Sequence, residues 1–416
     1  MIHYSKNTIP KAEPFVSGEG AVLVGRDGGK YIDLSAQTLN ANLGQCHPLI
    51  VEAVTRQLQR LTYTSSRYSS DVAEKLVNTL VEITPKKFQK VNLKCVSGSD
   101  ANECALKIVR KKTGKYHVIS LLHSHHGQTV ETMRISGKNF GTTFLGERSS
   151  TYIHPPYCYR CPVGKHPDTC SVECLSDMEK LIEIRKDDFA AVFVEPIMVD
   201  AGVLAPPRKY HVQLRQLCNQ YKIPLVYDEV QTAFGWLGTI FAMDYYNVQP
   251  DIVTLAKGLG AGFPIGAVVF PTKFDVLEYG EHEITYGAHP VSCAAAIAMI
   301  VFLRTGGLEQ VIAKSVLVDE RFYRIVERHR LIGDVRGVGL LRGIEVVNPA
   351  DNNPDSKTAK RLYEEMLCRG FILRISKVGQ HSNVLQFKPP LVITEEQLHA
   401  FFDNFEQLLS EIERLP

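Results

Sequence analysis

The chain has 416 residues, 44% of them hydrophobic and 22% charged, the composition of an ordinary globular protein with room for one large and one smaller domain. Its formal net charge is +2 with both signs interspersed, which argues against the concentrated basic stripe of a nucleic-acid binder and favours small polar or anionic ligands. The N-terminus, MIHYSKNTIPKAEPF, lacks a basic segment followed by an apolar core, and no window approaches the ~18 uninterrupted apolar residues of a membrane span; a cytoplasmic location is expected.

In chain order, GAVLVGRDGGKYIDL (Gly20 to Leu34) alternates apolar residues around Asp27-Gly28-Gly29 and predicts a hairpin. The middle of the chain repeats an apolar strand, a short loop and a helical segment, as in Lys90 to Lys112, Phe189 to Met198, His211 to Val230 and Asp251 to Lys257. Such alternation predicts an α/β domain with a mostly parallel sheet. From about Val301 long amphipathic helices are broken by GVGLLRGIEVV and GFILRIS, a second α/β module. The expected organisation is an N-terminal segment of a small domain (1–45), a large domain (46–300) with a Cys-rich loop (154–175), and the rest of the small domain (301–416).

Ligands of open parallel sheets sit beyond the carboxyl ends of the strands, so strand-end residues carry the functional reading. SGSDANE, Ser97 to Glu103, joins a strand to a helix; its small residues and free amides at a helix N-terminus suit an anion, and a simple Ser N-cap is the alternative. In PLVYDEVQ an apolar strand ends in Asp228, a part-buried carboxylate that needs a cation or strong donor; a structural ion pair would also satisfy it. Lys257 closes the apolar run Ile252 to Ala256 and is followed by glycines and Pro264. A buried lysine serves as an amine nucleophile, whereas a surface lysine would be inert. Phosphate cradle, carboxylate and lysine together match what pyridoxal 5′-phosphate requires. The GLGAG spacing is a poor dinucleotide fingerprint, because Pro264 and a strand-like run follow it instead of a helix.

The chain resembles the class III (ω-type) aminotransferases of pyridoxal-phosphate fold type I along nearly its whole length. The likeness is carried by LGQCHP (Leu43 to Pro48), SGSDANE, HHGQT (His125 to Thr129), EPIMVDAGVLAPP (Glu195 to Pro207), DEVQTAFGWLG (Asp228 to Gly238), AKGLGAGFPIGAV (Ala256 to Val268), TYGAHPVSCAAA (Thr285 to Ala296) and KPPLVIT (Lys388 to Thr394). The resemblance implies that Lys257 forms the Schiff base and acts as the general base. It further implies that Asp228 pairs with the pyridinium nitrogen, that Gly98 and Ser99 cradle the phosphate, and that Val230 and Gln231 contact the ring. It also implies that His125 stacks on the ring where relatives carry Tyr or Phe, with His126 beside it, and that Glu195 belongs to the substrate side. Thr285 would reach the phosphate of a neighbouring subunit, which implies a homodimer with composite sites. The reaction implied is transfer of an amino group from an amine or amino acid to a keto or aldehyde acceptor; alternatives within the family are phospho-lyases of amino-alcohol phosphates and amino-acid racemases or epimerases.

Departures from the family pattern bear on substrate. Gln386 stands where the family usually has an arginine for the substrate carboxylate, so Lys388, Arg374 or Arg342 would have to substitute. Met198 and Trp236 also differ from the usual Gln and Arg. Of the ten cysteines, Cys46, Cys95, Cys104, Cys218, Cys293 and Cys368 are scattered singly, as buried thiols are. Cys158, Cys161, Cys170 and Cys174 cluster with C-x2-C and C-x3-C spacing, which predicts a tetrathiolate zinc knot; an iron–sulfur cluster, disulfides or free thiols are the alternatives. His154 and His166 are expected to face solvent.

Overall fold

The computed structural model describes residues 14–65, 67–138, 146–166, 168–185 and 187–414; most of the N-terminal stretch lies outside them. Seven strands form the central sheet in the order Lys90–Cys95, Gly266–Phe270, Ile252–Leu255, Leu225–Asp228, Phe189–Val194, His117–Leu121 and Ser150–Ile153. The last five pair in parallel, and Gly266–Phe270 runs antiparallel to both its neighbours. Phe189–Val194 is buried at every position, as expected for a strand covered on both faces. On one face the helix Gly98–Thr113 brings Ala101, Ala105, Ile108 and Val109 against Phe193, Val226 and Ile252. Tyr227, Val253, Leu255 and Ala267 belong to the larger core on the other face.

The expected hairpin forms between Val22–Gly25 and Lys30–Asp33. Its turn uses Gly28 at φ 82°, a left-handed conformation that glycine adopts without steric cost. Lys30–Asp33 also pairs in parallel with Phe371–Ile372, so residues from both ends of the chain share one four-stranded sheet. A second four-stranded sheet, antiparallel throughout, contains Ile332–Val338, Leu341–Val346, His381–Phe387 and Arg374–Val378.

By length and composition the run Pro290–Arg328 could cross a membrane, but more than half of its most apolar window is buried in the protein. Its first helix, Pro290–Phe302, packs against Pro48–Leu58 and Asp71–Ile83. At Leu303–Gly307 a π-type turn with Thr305 and Gly306 outside helical geometry divides the run from the helix Leu308–Arg328. The first helix is a core element, and the second buries only one face.

Candidate active site

The carboxyl ends of the strands converge on a cavity of about 400 Å³ lined by Ser97, Gly98, Ser99, His125, His126, Asp228, Val230, Gln231 and Lys257, among others. All the strand-end residues singled out from sequence therefore meet in one place, as the topology of a parallel sheet requires.

At one end of the cavity lies the N-terminus of helix Gly98–Thr113. Ser97 caps it, its hydroxyl accepting from Asp100 N at 3.3 Å. Asp100, the first-turn acid, is folded back to accept from Val96 N and Ser97 Oγ. The first-turn amides of a helix have no intrahelical acceptor, so Gly98 and Ser99 offer an anion site. Gly98 is required there by space: a Cβ would stand 2.7 Å from Val230 Cγ1. Gly127, at φ 140°, lets the His125–Thr129 loop close on Ser99, whose hydroxyl accepts from Gln128 N at 3.0 Å.

At the other end Asp228, 3% exposed, is held by side chains from two other segments. Asn102 Nδ2 and His126 Nδ1 each donate to its Oδ2 at 2.8 Å, and Val230 N donates to Oδ1 at 3.1 Å. The carboxylate can only accept, which places a hydrogen on His126 Nδ1, and the ring Nε2 faces Ser120 Oγ at 3.3 Å. Asn102, missed in the sequence reading, projects from the anion-binding helix and also bonds the His126 carbonyl at 2.7 Å. The signal lay within SGSDANE, four residues after Gly98 and hence on the same helix face.

Lys257 opens a 3₁₀ turn at φ 45°, a strained conformation for a residue with a side chain. It lines the cavity while protein replaces most of its hydration. Burial lowers its amine below the usual lysine value, against the opposing charges of Asp200 and Asp228. Asp200, also missed, is 3.6 Å from Arg374 and 3.7 Å from Lys138. Burial pushes its carboxyl up, but Arg374, Lys257, His125 and Lys138 outweigh that and hold it below the usual range. Glu195 accepts from His125 N at 2.9 Å and has its Oε2 buried without a hydrogen bond; burial and the nearby Asp228 raise it well above the ordinary carboxyl value. Burial also pushes the His125 ring down to about 4, so it is a flat neutral ring at neutral pH.

Other expected residues lie elsewhere. Gln386 is fully buried, its amide donating to Val199 O at 2.7 Å and to Ser376 Oγ, and it does not line the cavity. Arg342 is engaged by Asp319 and the carbonyls of Gly337 and Gly339. Lys388 is buried with no hydrogen bond to its amine, and Arg374, Asp200 and Lys257 lie within electrostatic reach. Met198 pairs with Leu204 in a short bridge. The Trp236 indole donates to Pro389 O at 3.0 Å. Thr285 lies away from this cavity, its carbonyl accepting from Tyr63 at 3.0 Å.

His154 and His166 are exposed, as expected. Cys158, Cys161, Cys170 and Cys174 are neighbours: burial and the adjacent thiols push Cys174 up to about 12. Among the described residues, however, the ligating atoms gathered within 4.8 Å of one another belong to Cys95, Cys104 and His282. The zinc expectation for the clustered four thus gains no support from the geometry, and two cysteines read as scattered prove to be together.

The residues present fit pyridoxal 5′-phosphate: an amide-rich anion site, a fixed carboxylate and a lysine share one cavity, and Gln231 Oε1 is buried without a partner. The class III aminotransferase family matches residues 4–409. The chain is 34% identical to the leucine/methionine racemase of Thermococcus litoralis, covering 92% of this chain and 87% of the racemase. It is 32% identical to the acetylornithine aminotransferase of Methanocaldococcus jannaschii, covering 96% and 94%. The taurine:2-oxoglutarate aminotransferase of Bifidobacterium kashiwanohense, solved with PLP and glutamate, superimposes with a TM-score of 0.90 at 27% identity, over 100% of this chain and 96% of that one. With this fold, this cavity and a family match spanning almost its entire length, the chain belongs to the class III aminotransferases.

Proposed function

We propose that this aminotransferase holds its cofactor phosphate on Gly98 and Ser99 and uses Lys257 as both anchor and proton carrier. The observation that carries this reading is the shared cavity of Lys257, Asp228 and the helix N-terminus. Pyridoxal 5′-phosphate, when bound, supplies a carbonyl for amine exchange and a ring that accepts electron density from the substrate carbon. Asp228, fixed by Asn102 and His126, keeps Oδ1 with capacity for a further donor, which suits a ring nitrogen. The lowered basicity of Lys257 favours the neutral amine, the form able to take a proton. His125 and Val230 would flank the ring. Mixing purified enzyme with amines, amino acids and keto acids and following absorbance tests the reading; no conversion to the amino form of the cofactor with any donor would overturn it.

The family arginine being absent, Arg374 and Lys138 around Asp200 are the cations suited to an anionic substrate group; burial lowers the Lys388 amine well below the usual lysine value. The similarity to a leucine/methionine racemase favours one second reading, exchange at the α-carbon without net transfer. Chiral analysis of amino acids incubated without a keto acid separates the two, and phosphate release from amino-alcohol phosphates tests the lyase alternative.

A homodimer is supported by exposed Tyr68, Tyr279 and Tyr286 around the outward segment carrying Thr285; sedimentation tests it. Ten free cysteines suit the cytoplasm. A zinc ion at Cys158, Cys161, Cys170 and Cys174 would require those thiols to close in, and loss of bound zinc in Cys161→Ser is its test.

A further inference from the structure

We propose that Cys95, Cys104 and His282 form a zinc-binding site behind the anion-binding turn, separate from the Cys-rich loop. The three ligating atoms lie within 4.8 Å of one another and all three residues are buried. Cys95 Sγ is 3.6 Å from His282 Nε2. With zinc–sulfur and zinc–nitrogen bonds of about 2.3 and 2.0 Å at a tetrahedral angle, sulfur and nitrogen ligands stand about 3.5 Å apart. That pair already has close to the spacing of two ligand atoms in one coordination sphere.

The chemistry balances. Zinc binding to two thiols and a neutral imidazole releases two protons, and two thiolates cancel the dication, so no net charge is left buried. Three protein ligands leave a fourth position for a small ligand. The charged groups facing the site are Lys107, Asp100 and Glu283. Lys107 Nζ is 3.4 Å from His282 Nδ1 and also donates to the Glu281 carbonyl at 2.9 Å. A zinc-bound ring keeps its hydrogen on Nδ1, so Lys107 would rest on that carbonyl alone.

The position gives the site consequence. Cys95 ends the strand that enters Ser97–Ser99, Cys104 lies on the helix that follows, and His282 precedes Thr285. One ion would tie these three segments together.

The test uses holoenzyme with Cys158, Cys161, Cys170 and Cys174 replaced by serine, so that bound metal reports on the buried group. About one zinc per chain should survive dialysis, raise the thermal midpoint, and give a thiolate-to-cobalt charge-transfer band on cobalt substitution. Cys104→Ser and His282→Ala should each weaken binding by about 100-fold or more. Retention of no zinc, undiminished zinc in both variants, or a Cys95–Cys104 disulfide in the native protein overturns the proposal. Should the serine background fail to fold, Cys104→Ser in the otherwise unchanged chain must lose one zinc equivalent, and an unchanged metal content overturns it equally.

Discussion

His126 Nδ1 lies 2.8 Å from Asp228 Oδ2 with both side chains buried, so the strand-end carboxylate is oriented by a residue more than a hundred positions earlier in the chain. Asn102 shares the same oxygen. Removing either donor leaves a buried carboxylate less well paired, at a cost of about 1–3 kcal/mol. Asn102→Ala should lower the thermal midpoint and reduce kcat by roughly 10- to 100-fold, each tenfold corresponding to about 1.4 kcal/mol. Asp228→Asn should cost several orders of magnitude in kcat with little loss of stability. Normal specific activity in Asp228→Asn would make the carboxylate structural only.

Lys257→Ala should abolish turnover while the phosphate site still holds the cofactor, read by its absorbance after gel filtration. Full activity in this variant would remove Lys257 from the mechanism.

Asp200 raises the basicity of Lys257 against the effect of burial. Asp200→Asn removes that charge, so the amine becomes neutral at lower pH and the acid limb of the kcat profile should move to lower pH. A shift to higher pH contradicts the electrostatic assignment.

Substrate anions should depend on Arg374. Arg374→Gln should reduce kcat/KM for keto acids bearing a second carboxylate by about tenfold or more, with neutral aldehydes unaffected. Gln386→Arg, which from sequence alone should improve glutamate use, is expected to fail: a larger cation must enter a filled site near Lys388 and Arg374, costing about 1–3 kcal/mol. A gain in glutamate kcat/KM in Gln386→Arg would restore the sequence expectation.

Glu345, 1% exposed, joins the Cys-rich loop to the C-terminal sheet. Its carboxylate accepts from Arg160 at 2.7 Å, Arg336 at 2.6 Å and Tyr157. Burial raises its carboxyl, and Arg336, Tyr157 and Arg160 outweigh that, so it is held below the usual value. The folded value being depressed, this stabilisation is complete above the ordinary glutamate range, near pH 4.3, and is lost as pH falls through the lower folded value. Arg336→Met should destabilise by about 3 kcal/mol at pH 7 and by less in acid, as measured by urea unfolding at several pH values.

Much of this was legible because local rules and the fold agree. A short apolar run such as Phe189 to Val194, bounded by loops and repeated between helical segments, suits a strand covered on both faces, and a parallel sheet then gathers Ser97, Asp228 and Lys257 at one edge. Asn102 and Asp200 were not legible because their roles are set by partners distant in sequence: Asp228 for the first, Arg374 and Lys138 for the second. Gln386 shows the converse. Its place in a motif suggested a substrate contact, but the bonds to Val199 and Ser376 that turn it inward come from tertiary packing. Cys95 and Cys104 looked unrelated because they meet only when strand and helix stack.

Among the described residues the sheet partner of Lys90–Cys95 is Gly266–Phe270 alone, although the five other strands of that sheet lie between them in the sequence. On a ribosome the strand leading into Ser97–Ser99 must therefore wait, unpaired, until most of the chain has been made. Closing so long a loop is entropically costly and slow, and an unpaired strand is a liability during the delay. Lys257 emerges only shortly before the missing partner. Cofactor capture thus cannot precede the arrival of Gly266–Phe270, the last strand of this sheet, which simultaneously completes the sheet and presses the anion-binding turn into place.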